Sequence, residues 1–320
     1  MPGFCFAKDL LVGSHSGAAP NVRRSKLKRK TQEDRTEISM TKFGQAKDRL
    51  SGSRESVLMD TANALEDARR TRLPMEDLPL ALRPATLAET YDVQDMLAEA
   101  YGEIGGWKVG APSAEATPMF APMPKIWIAE GGAVIRAKRF RGLEAEVAFL
   151  LGEDLPATQV EYTRERILSA IASCHPAIEV LESGLTDPAT AERFSMIADL
   201  QMHGGFVYGP ACAEWRQIDW TKETVSLAVD GVVRVERTGS NTAGDLMRLL
   251  PWLANEGAVR TGGLRAGQWI TTGSWTGHIR AEESSSVDVN FGRLGRVTLR
   301  FESEQELDKG MPGETVRRFS

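Results

Sequence analysis

The sequence predicts an α+β fold in which helices come first and strands dominate the second half of the chain. Apolar residues recur at helical spacing in four segments, and short runs rich in β-branched and aromatic residues fill much of residues 144–301. The helices do not alternate with strands one by one, as a doubly wound parallel sheet requires. An Asp-Gly pair at residues 230–231, between two apolar runs, is a strong hairpin signal. We therefore expect antiparallel or mixed sheets with flanking N-terminal helices.

The chain divides into three parts of different composition. Residues 1–55 carry twelve Lys and Arg against six Asp and Glu, a balance of +6, and lack an apolar face. This part is predicted to be a disordered basic tail. Residues 56–302 have the composition of one large domain, and residues 303–320 are predicted to be a polar C-terminal tail.

Composition also excludes several classes of protein. The total net charge is −5, so the +6 of residues 1–55 leaves −11 for residues 56–320. An acidic body argues against nucleic-acid binding, because phosphate contacts need a concentrated positive surface. No apolar run approaches the roughly 20 residues of a membrane helix, and no secretion signal is present, so we expect a cytoplasmic protein. Three cysteines without a CxxC pair predict free thiols, and four histidines without zinc-site spacing disfavour a histidine-rich zinc centre.

Four helices are predicted along the chain. The first follows Ser56, and Thr86 with Glu89 forms a capping box at the start of the second. The third follows Thr163, and the fourth contains four leucines at helical spacing. The residues expected on buried faces are Leu87, Tyr91, Leu97, Ala98 and Tyr101 in the second helix, Ile167, Leu168, Ile171 and Cys174 in the third, and Leu246, Leu249, Leu250 and Leu253 in the fourth.

Strands are predicted between and after these helices. The runs are EAEVAFLL (144–151), AIEVL (177–181), GGFVYG (204–209), TVSLAV (224–229), VVRVE (232–236), SSVDVNF (285–291) and RVTLRF (296–301). The last two runs are joined around residues 292–295 and close the domain.

Acidic residues occur inside two of these apolar strands. Glu144 and Glu146 are two positions apart, and side chains at alternate positions of a strand point to the same face. Two neighbouring carboxylates on one strand face repel each other and need a cation nearby. Glu179, between Ile178 and Val180, is a third acid on an apolar strand. Three carboxylates of this kind suit Mg²⁺ or Mn²⁺, and the alternative interpretation is a solvated strand face.

Several motifs, taken in order, resemble those of a known family. They are GGWKVG around Lys108, GLEAEVAF, PAIEVLES, the Ala198-Asp199 step, GLRAGQWITTGS and FGRLGRVTLRF. This order, spread over residues 57–302, resembles the 2-keto-4-pentenoate hydratase and 4-oxalocrotonate decarboxylase group of the fumarylacetoacetate hydrolase superfamily. The resemblance implies a mixed β-sandwich roll with flanking helices. It also implies a divalent metal, Mg²⁺ or Mn²⁺, held by Glu144, Glu146 and Glu179.

The resemblance further implies a reaction. A 2-oxo acid offers a carboxylate oxygen and a keto oxygen that can chelate one Mg²⁺, and the metal then stabilises the enolate formed as a proton moves along the chain. A hydratase of this group would ketonise a 2-hydroxydienoate and add water at C4, whereas a decarboxylase would form the same enolate by loss of CO₂. Lys108, in the family's GxKVG turn, would supply a positive charge and a proton. Thr272, Gly273 and Ser274 could hydrogen-bond the substrate carboxylate.

Two segments depart from the family's pattern. Met123 stands where relatives usually carry an acidic residue, which predicts that the usual proton shuttle is missing. The family's Asp-Asn followed by small residues is replaced by DLQMH at residues 199–203, which predicts a reshaped pocket. His203 could replace the missing acid or base, because imidazole titrates near neutral pH. A structural hydrogen bond is the alternative role of His203, and Asp199 is expected to orient local backbone.

We therefore predict a metal-dependent lyase acting on a small 2-oxo acid, with hydration as the first choice and decarboxylation as the second. One alternative is C–C hydrolysis of an acylpyruvate, which usually needs a histidine before the metal-binding strands. No histidine lies between His15 and His175, which disfavours that reaction. Another alternative is a catalytically inactive, metal-holding binding protein, suggested by Met123 and the altered segment 199–203. The family also implies a homo-oligomer.

Overall fold

The computed structural model describes residues 52–137 and 139–303. The predicted polar C-terminal tail, apart from Ser303, and most of the predicted basic tail lie outside the described residues. The first helix begins at Gly52, so residues 52–55 belong to the helix and not to the tail.

Helices cover the beginning of the described chain and recur between the strands. The α-helices are α1 (Gly52–Thr71), α2 (Leu87–Glu99), α3 (Arg164–Ala170), α4 (Arg193–Ala198) and α5 (Leu249–Trp252). Short 3-10 turns lie at Leu80–Leu82, Lys125–Trp127, Leu200–Met202 and Trp215–Gln217. Among the described residues, none of the helices has the length and apolar character needed to cross a membrane.

Side-chain caps fix the start of two helices as the sequence predicts. The Thr86 hydroxyl accepts from the Glu89 N–H at 3.2 Å, and the Thr163 hydroxyl accepts from the Arg166 N–H at 3.2 Å. These contacts satisfy backbone donors that the helix itself leaves free.

The buried face of α2 differs in part from the prediction. Leu87 is 39% exposed, whereas Thr90 and Gln94 are fully buried. The two polar residues tolerate burial because each has a partner: the Thr90 hydroxyl donates to the Thr86 carbonyl, and the Gln94 amide donates to the Ile197 carbonyl.

The third and fourth helices are less regular than predicted. Helix α3 ends at Ala170, and Ile171 and Cys174 lie in the strand that follows, because strand pairing takes over from helical spacing. The leucines of the fourth predicted helix lie in a mixed segment in which α5 is preceded by a 3-10 turn (Leu246–Arg248) and followed by a π-helical turn (Leu253–Gly257) and another 3-10 turn (Ala258–Thr261). Pro251 lies inside α5, and proline has no N–H for the helical ladder.

Strands make up the rest of the regular structure. They are β1 (Ile104–Gly110), β2 (Met119–Pro124), β3 (Ile128–Glu130), β4 (Ala133–Ile135), β5 (Gly142–Leu151), β6 (Leu155–Pro156), β7 (Ile171–Leu181), β8 (His203–Tyr208), β9 (Thr224–Val229), β10 (Val232–Thr238), β11 (Gly263–Leu264), β12 (Trp269–Ser274), β13 (Ile279–Arg280), β14 (Ser286–Phe291) and β15 (Gly295–Phe301). All seven predicted strand runs are found among them.

The strands form two main sheets of mixed direction. The larger sheet has the order β2-β1-β12-β5-β7-β8-β3, with β13 paired to β5, and the smaller one has the order β10-β9-β14-β15-β4. Most pairs are antiparallel, but β1 with β12, β3 with β8 and β4 with β15 are parallel. Both sheets contribute to one core, which contains Val147 and Ile178 from the larger sheet and Leu227 and Val289 from the smaller. The predicted α+β class is confirmed.

Two strands outside the predicted runs, β1 and β2, are rich in glycine and proline. The segment GGWKVG was expected to be a turn, but it forms most of β1 and pairs with β2 and β12. The predicted hairpin is present, since Asp230 and Gly231 have φ values of 52° and 75° between β9 and β10. Both residues of a two-residue hairpin loop of this type need positive φ.

One face of the larger sheet changes from polar to apolar along its strands. On β5, Glu144 and Glu146 are followed on the same face by Ala148 and Leu150. The apolar half continues onto the neighbouring strands β2, β7, β8 and β12. Buried side chains from these strands and β5 form one cluster, the apolar floor of this face: Met123, Ala148, Ala177, Phe206 and Trp269. The acidic residues therefore lie at one end of the sheet, beside an apolar floor.

Candidate metal centre

Pairing of β5 with β7 brings three glutamates together. Glu144 lies directly opposite Glu179, and Glu146 is two residues further along the same face of β5. One carboxylate oxygen from each of the three lies within 4.8 Å of the others. The predicted carboxylate cluster is thus present in the fold, with Glu146 and Glu179 buried and Glu144 half-buried.

Burial and mutual repulsion control the charge of these acids in the metal-free protein. Burial, together with the charge of Glu179, raises the pKa of Glu144 to about 7. Burial and the same neighbouring carboxylates raise the pKa of Glu146 well above its ordinary value. Burial opposes ionisation of Glu179 as well, but Lys108 and His203 lower the pKa of Glu179 to about 2. The cluster therefore holds protons that a bound cation would displace.

Lys108 lies on β1 and reaches across the sheet to the acids. Its Nζ is 2.7 Å from Glu179 Oε1 and donates to the Gln201 carbonyl at 3.0 Å. Burial alone would lower the pKa of Lys108, but the carboxylates of Glu179, Glu144 and Glu146 raise it. The side chain is a fixed, protonated ammonium group at the edge of the cluster.

His203 supports Glu179 from the other side. Its Nδ1 is 2.8 Å from Glu179 Oε1, and the whole side chain is buried. Burial lowers the pKa of His203, so the ring is neutral and donates its Nδ1 proton to the carboxylate. The contact matches the hydrogen-bonding role that the sequence allowed for His203.

The chemistry of these residues fits a divalent cation with oxygen ligands. Glu144, Glu146 and Glu179 supply the hard oxygens, and Glu179 Oε2 is buried without a hydrogen-bond partner among residues 52–137 and 139–303. A buried, ionised oxygen without a partner is costly, and a cation held by the three carboxylates would satisfy it.

A bulge in β12 orients Glu146. The pairing of β12 with β5 shifts between Thr271 and Ser274, and Gly273 has a φ of 81°, which favours glycine. The Thr271 hydroxyl and the Gly273 N–H both donate to Glu146 Oε2. Asn241 donates from its Nδ2 to the carbonyls of Thr272 and Gly273, at 2.8 and 3.2 Å.

The predicted TTGS segment divides between the two faces of β12. Gly273 and Ser274 contact the acids, since the Ser274 hydroxyl bonds Glu144. Thr272 is fully buried on the opposite face and donates to the Val147 carbonyl at 2.7 Å, so it does not reach the cluster. Its neighbour Thr271 does, and the alternation of strand side chains is the signal that could have selected it.

An unusual backbone turn lies between Asp199 and His203. Leu200, Gln201 and Met202 have φ values of 51°, 49° and 64°, a left-handed turn that costs roughly 1–2 kcal/mol per non-glycine residue. The turn aims the Gln201 carbonyl at Lys108 and brings His203 to Glu179. Such strain in a backbone is typical of functional sites, where surrounding contacts hold it in place.

Met123 lies in the apolar floor next to the cluster. It is fully buried and belongs to the group that contains Ala148, Ala177 and Phe206. These neighbours are apolar, so a carboxylate at position 123 would lie beside apolar side chains.

A cavity lies at a different part of the sheet from the three glutamates. It has a volume of about 660 Å³ and is lined by residues that include Trp107, Tyr208, Arg265 and Trp269. Trp269 pairs with Leu150 of β5, four residues from Glu146 and so roughly 13 Å along the strand. The cavity is therefore separate from the metal centre.

We expect the metal-free protein to be destabilised by Glu144 as pH rises. Folding raises the pKa of Glu144 to about 7, so its favourable contribution is complete below the ordinary value of 4.5 and is lost as pH rises through about 7. Chemical denaturation in the presence of a chelator should give the wild type and Glu144→Gln the same free energy of unfolding near pH 5. At pH 8 the free energy of unfolding of the wild type should be lower than that of Glu144→Gln. A stability difference that does not change with pH would contradict the raised pKa.

Comparison with known proteins gives one family and several relatives. Residues 93–302 match the family model described as fumarylacetoacetate (FAA) hydrolase C-terminal, which is more than half of the chain. The chain is 32% identical over 160 residues to a 2-keto-4-pentenoate hydratase from Burkholderia vietnamiensis, covering 50% of this chain but only 60% of that hydratase. It is 24% identical over 258 residues to a 2-oxo-hept-4-ene-1,7-dioate hydratase from Escherichia coli, covering 75% of this chain and 96% of that protein.

A solved structure has a similar fold. It is the 4-oxalocrotonate decarboxylase from Pseudomonas putida G7, complexed with magnesium and adipate. The TM-score is 0.68 at 24% sequence identity, covering 79% of this chain and 98% of that chain.

Proposed function

The chain belongs to the fumarylacetoacetate hydrolase family, and from that premise we propose that it is a metal-dependent lyase that hydrates a small 2-hydroxydienoic or 2-oxoenoic acid. The observation that carries the proposal is the convergence of Glu144, Glu146 and Glu179 within 4.8 Å, with the Lys108 ammonium 2.7 Å from Glu179. The similarity to the two hydratases described above supports hydration as the first choice.

The cofactor of the proposed reaction is Mg²⁺ or Mn²⁺, held by the three glutamates. When bound, the metal supplies Lewis-acid stabilisation of the negative charge that develops on a 2-oxo acid as it enolises. Magnesium in the related decarboxylase structure supports this assignment.

Lys108 is proposed to hold a proton close to the substrate. Its contacts with Glu179 and the Gln201 carbonyl fix the ammonium group at the edge of the cluster, and the surrounding carboxylates keep it charged. A fixed ammonium group can stabilise an enolate and return a proton to the carbon chain. In the forward direction a 2-hydroxydienoate would gain a proton on its chain as the 2-hydroxyl loses one, and water would then add at C4.

The contacts of Gly273, Ser274 and His203 define their proposed roles. Gly273 and Ser274 border Glu146 and Glu144, where a substrate carboxylate would also lie. His203 is buried and bonded to Glu179, so we assign it to orientation of that ligand instead of proton transfer. The shared core of the two sheets supports the sandwich-roll description of the fold.

Decarboxylation of a 2-oxo acid is the second candidate. The similarity in fold to a 4-oxalocrotonate decarboxylase over 98% of that chain favours it. The same metal, Lys108 and enolate chemistry would serve, with loss of CO₂ in place of addition of water. A homo-oligomer remains a further expectation from the family.

A panel of 2-hydroxydienoates and 2-oxo acids assayed with Mg²⁺ tests the proposal. We expect loss of dienoate absorbance without release of CO₂, and no turnover in a chelator or in Glu146→Gln. Release of CO₂ would assign the decarboxylase reaction. If no compound of the panel is turned over but the wild type binds Mg²⁺ saturably, the result would favour a metal-holding binding protein.

A further inference from the structure

The last turn of helix α1 carries Arg69. The Arg69 side chain is 7% exposed and makes four hydrogen bonds to a segment 113–134 residues further along the chain. Its Nε donates to Asp199 Oδ1 at 2.5 Å and its Nη2 to the Asp199 carbonyl at 2.8 Å. Its Nη1 donates to the His203 carbonyl at 2.8 Å, and Nη2 also reaches the Glu182 carbonyl at 3.1 Å.

Three of these bonds are made at the two ends of the left-handed turn. Asp199 immediately precedes the three residues with positive φ, and His203 immediately follows them. One guanidinium group therefore joins the two ends of a strained backbone segment. A planar group with five N–H donors can do this, whereas the single ammonium group of lysine cannot reproduce the geometry.

The surroundings of Arg69 hold it in one place. Asp199 Oδ2 accepts from the Ser183 hydroxyl at 2.6 Å and from the Gly184 N–H at 2.9 Å. A Cβ on Gly184 would lie 3.1 Å from the Ala68 Cβ and from the Leu65 carbonyl, so glycine allows α1 to pack directly on this segment.

The left-handed turn also fixes the positions of polar groups in the metal centre. The Gln201 carbonyl accepts from Lys108, and His203 donates to Glu179. If the two ends of the turn were released, the strained residues would relax toward ordinary backbone conformations. The Gln201 carbonyl and the His203 ring would then move away from Lys108 and Glu179.

We propose that Arg69 is a positioning residue of the active site, which holds the left-handed turn closed so that Gln201 and His203 orient Lys108 and the metal ligand Glu179. The proposal rests on the proposed function in one respect, the role of Glu179 as a metal ligand. Arg69 acts through the backbone of residues 199–203, to which its guanidinium group is bonded, and not as a metal ligand or a catalytic group.

Arg69→Ala in the full chain tests this proposal, with Arg70→Ala as the matched control. Arg70 is next along the same helix, is 40% exposed and pairs with the nearby acids Glu66 and Asp67. We expect Arg69→Ala to raise the Kd for Mg²⁺ about 10–100-fold by calorimetry, as loss of a group that orients a ligand does, and to lower kcat more than it changes KM. Arg70→Ala should match the wild type in both measurements.

Chemical rescue separates positioning from general stability. Millimolar guanidinium can enter the space left by the truncated side chain and should return much of the lost Mg²⁺ affinity to Arg69→Ala, without affecting the wild type or Arg70→Ala. A folded Arg69→Ala with wild-type Mg²⁺ affinity and turnover would overturn the proposal. So would a loss of affinity that guanidinium leaves unchanged.

Arg69→Lys keeps the test decisive if Arg69→Ala does not fold. Lysine retains the charge opposite Asp199 but cannot bridge it to the His203 carbonyl, so we expect a folded protein with weakened Mg²⁺ binding. Wild-type binding in Arg69→Lys, or failure of both variants to fold at saturating Mg²⁺, would limit Arg69 to a role in folding and overturn the proposal. Failure of the wild type itself to bind Mg²⁺ would instead remove the proposed function.

Discussion

Replacement of Lys108 by Met should lower turnover by about two to four orders of magnitude, the usual contribution of a positioned acid or base, without loss of Mg²⁺ binding. Methionine keeps much of the length of the side chain but removes the ammonium group that lies 2.7 Å from Glu179. Because one positive charge leaves a cluster of carboxylates, Mg²⁺ should bind as tightly as in the wild type or more tightly. The metal-free variant should be less stable, since removal of one partner from a buried ion pair costs about 3–5 kcal/mol.

Turnover, Mg²⁺ calorimetry and thermal melting with and without metal together check this prediction. Lys125→Met is the matched control, because Lys125 is 62% exposed and pairs with Glu103 away from the cluster. The control should keep wild-type kinetics. Unchanged kinetics in Lys108→Met as well would show that the ammonium group takes no part in the reaction.

Replacement of Glu146 by Gln should have the opposite effect on the metal. The change removes one charged ligand of the metal. Loss of a group that only orients a ligand lowers metal affinity about 10–100-fold, so loss of the ligand itself should raise the Kd for Mg²⁺ by at least that factor. Burial and the neighbouring carboxylates raise the pKa of Glu146 well above its ordinary value in the metal-free protein, so the charged form is disfavoured there and Gln removes that unfavourable charge. Stability without metal should therefore be unchanged or slightly improved.

Calorimetric titration of Mg²⁺ into the wild type and into the Gln variants of Glu144, Glu146 and Glu179 measures this effect. Glu130→Gln, at an exposed end of β3, controls for the loss of one acidic residue elsewhere and should bind like the wild type. Saturable stabilisation by Mg²⁺ is expected in the wild type. Flat titrations for the wild type and all three variants would remove the metal centre and with it the lyase assignment.

The carboxylate cluster could be predicted because it depends on local rules. Glu144 and Glu146 share a face through the two-residue period of a strand, and Glu179 stands out as an acid in an apolar strand. Lys108 was identified through the family motif, but its strand was mistaken for a turn because Gly105 and Gly106 suggest one. Both glycines are needed for packing, since a Cβ at either position would lie under 3 Å from neighbouring atoms.

The left-handed turn could not be predicted from the sequence. Leu200, Gln201 and Met202 are residue types that rarely adopt positive φ, and nothing in their order indicates it. The contact that joins the ends of the turn comes from Arg69, 130 residues before Asp199. Local sequence does not indicate such a contact, which depends on the packing of α1 against residues 182–203.

The parallel pairing of β1 with β12 has a consequence for the order in which the chain acquires its structure. Trp107 on β1 and Gln268 beside β12 are hydrogen-bonded although 161 residues separate them. During synthesis β1 has no partner on this side until nearly the whole domain has been made, and contacts between distant residues are slow to form. Lys108 and Thr271 face each other only after that closure. The metal centre is therefore completed late in folding, and a nascent chain that stops short of β12 leaves an edge of β1 open to association with other chains.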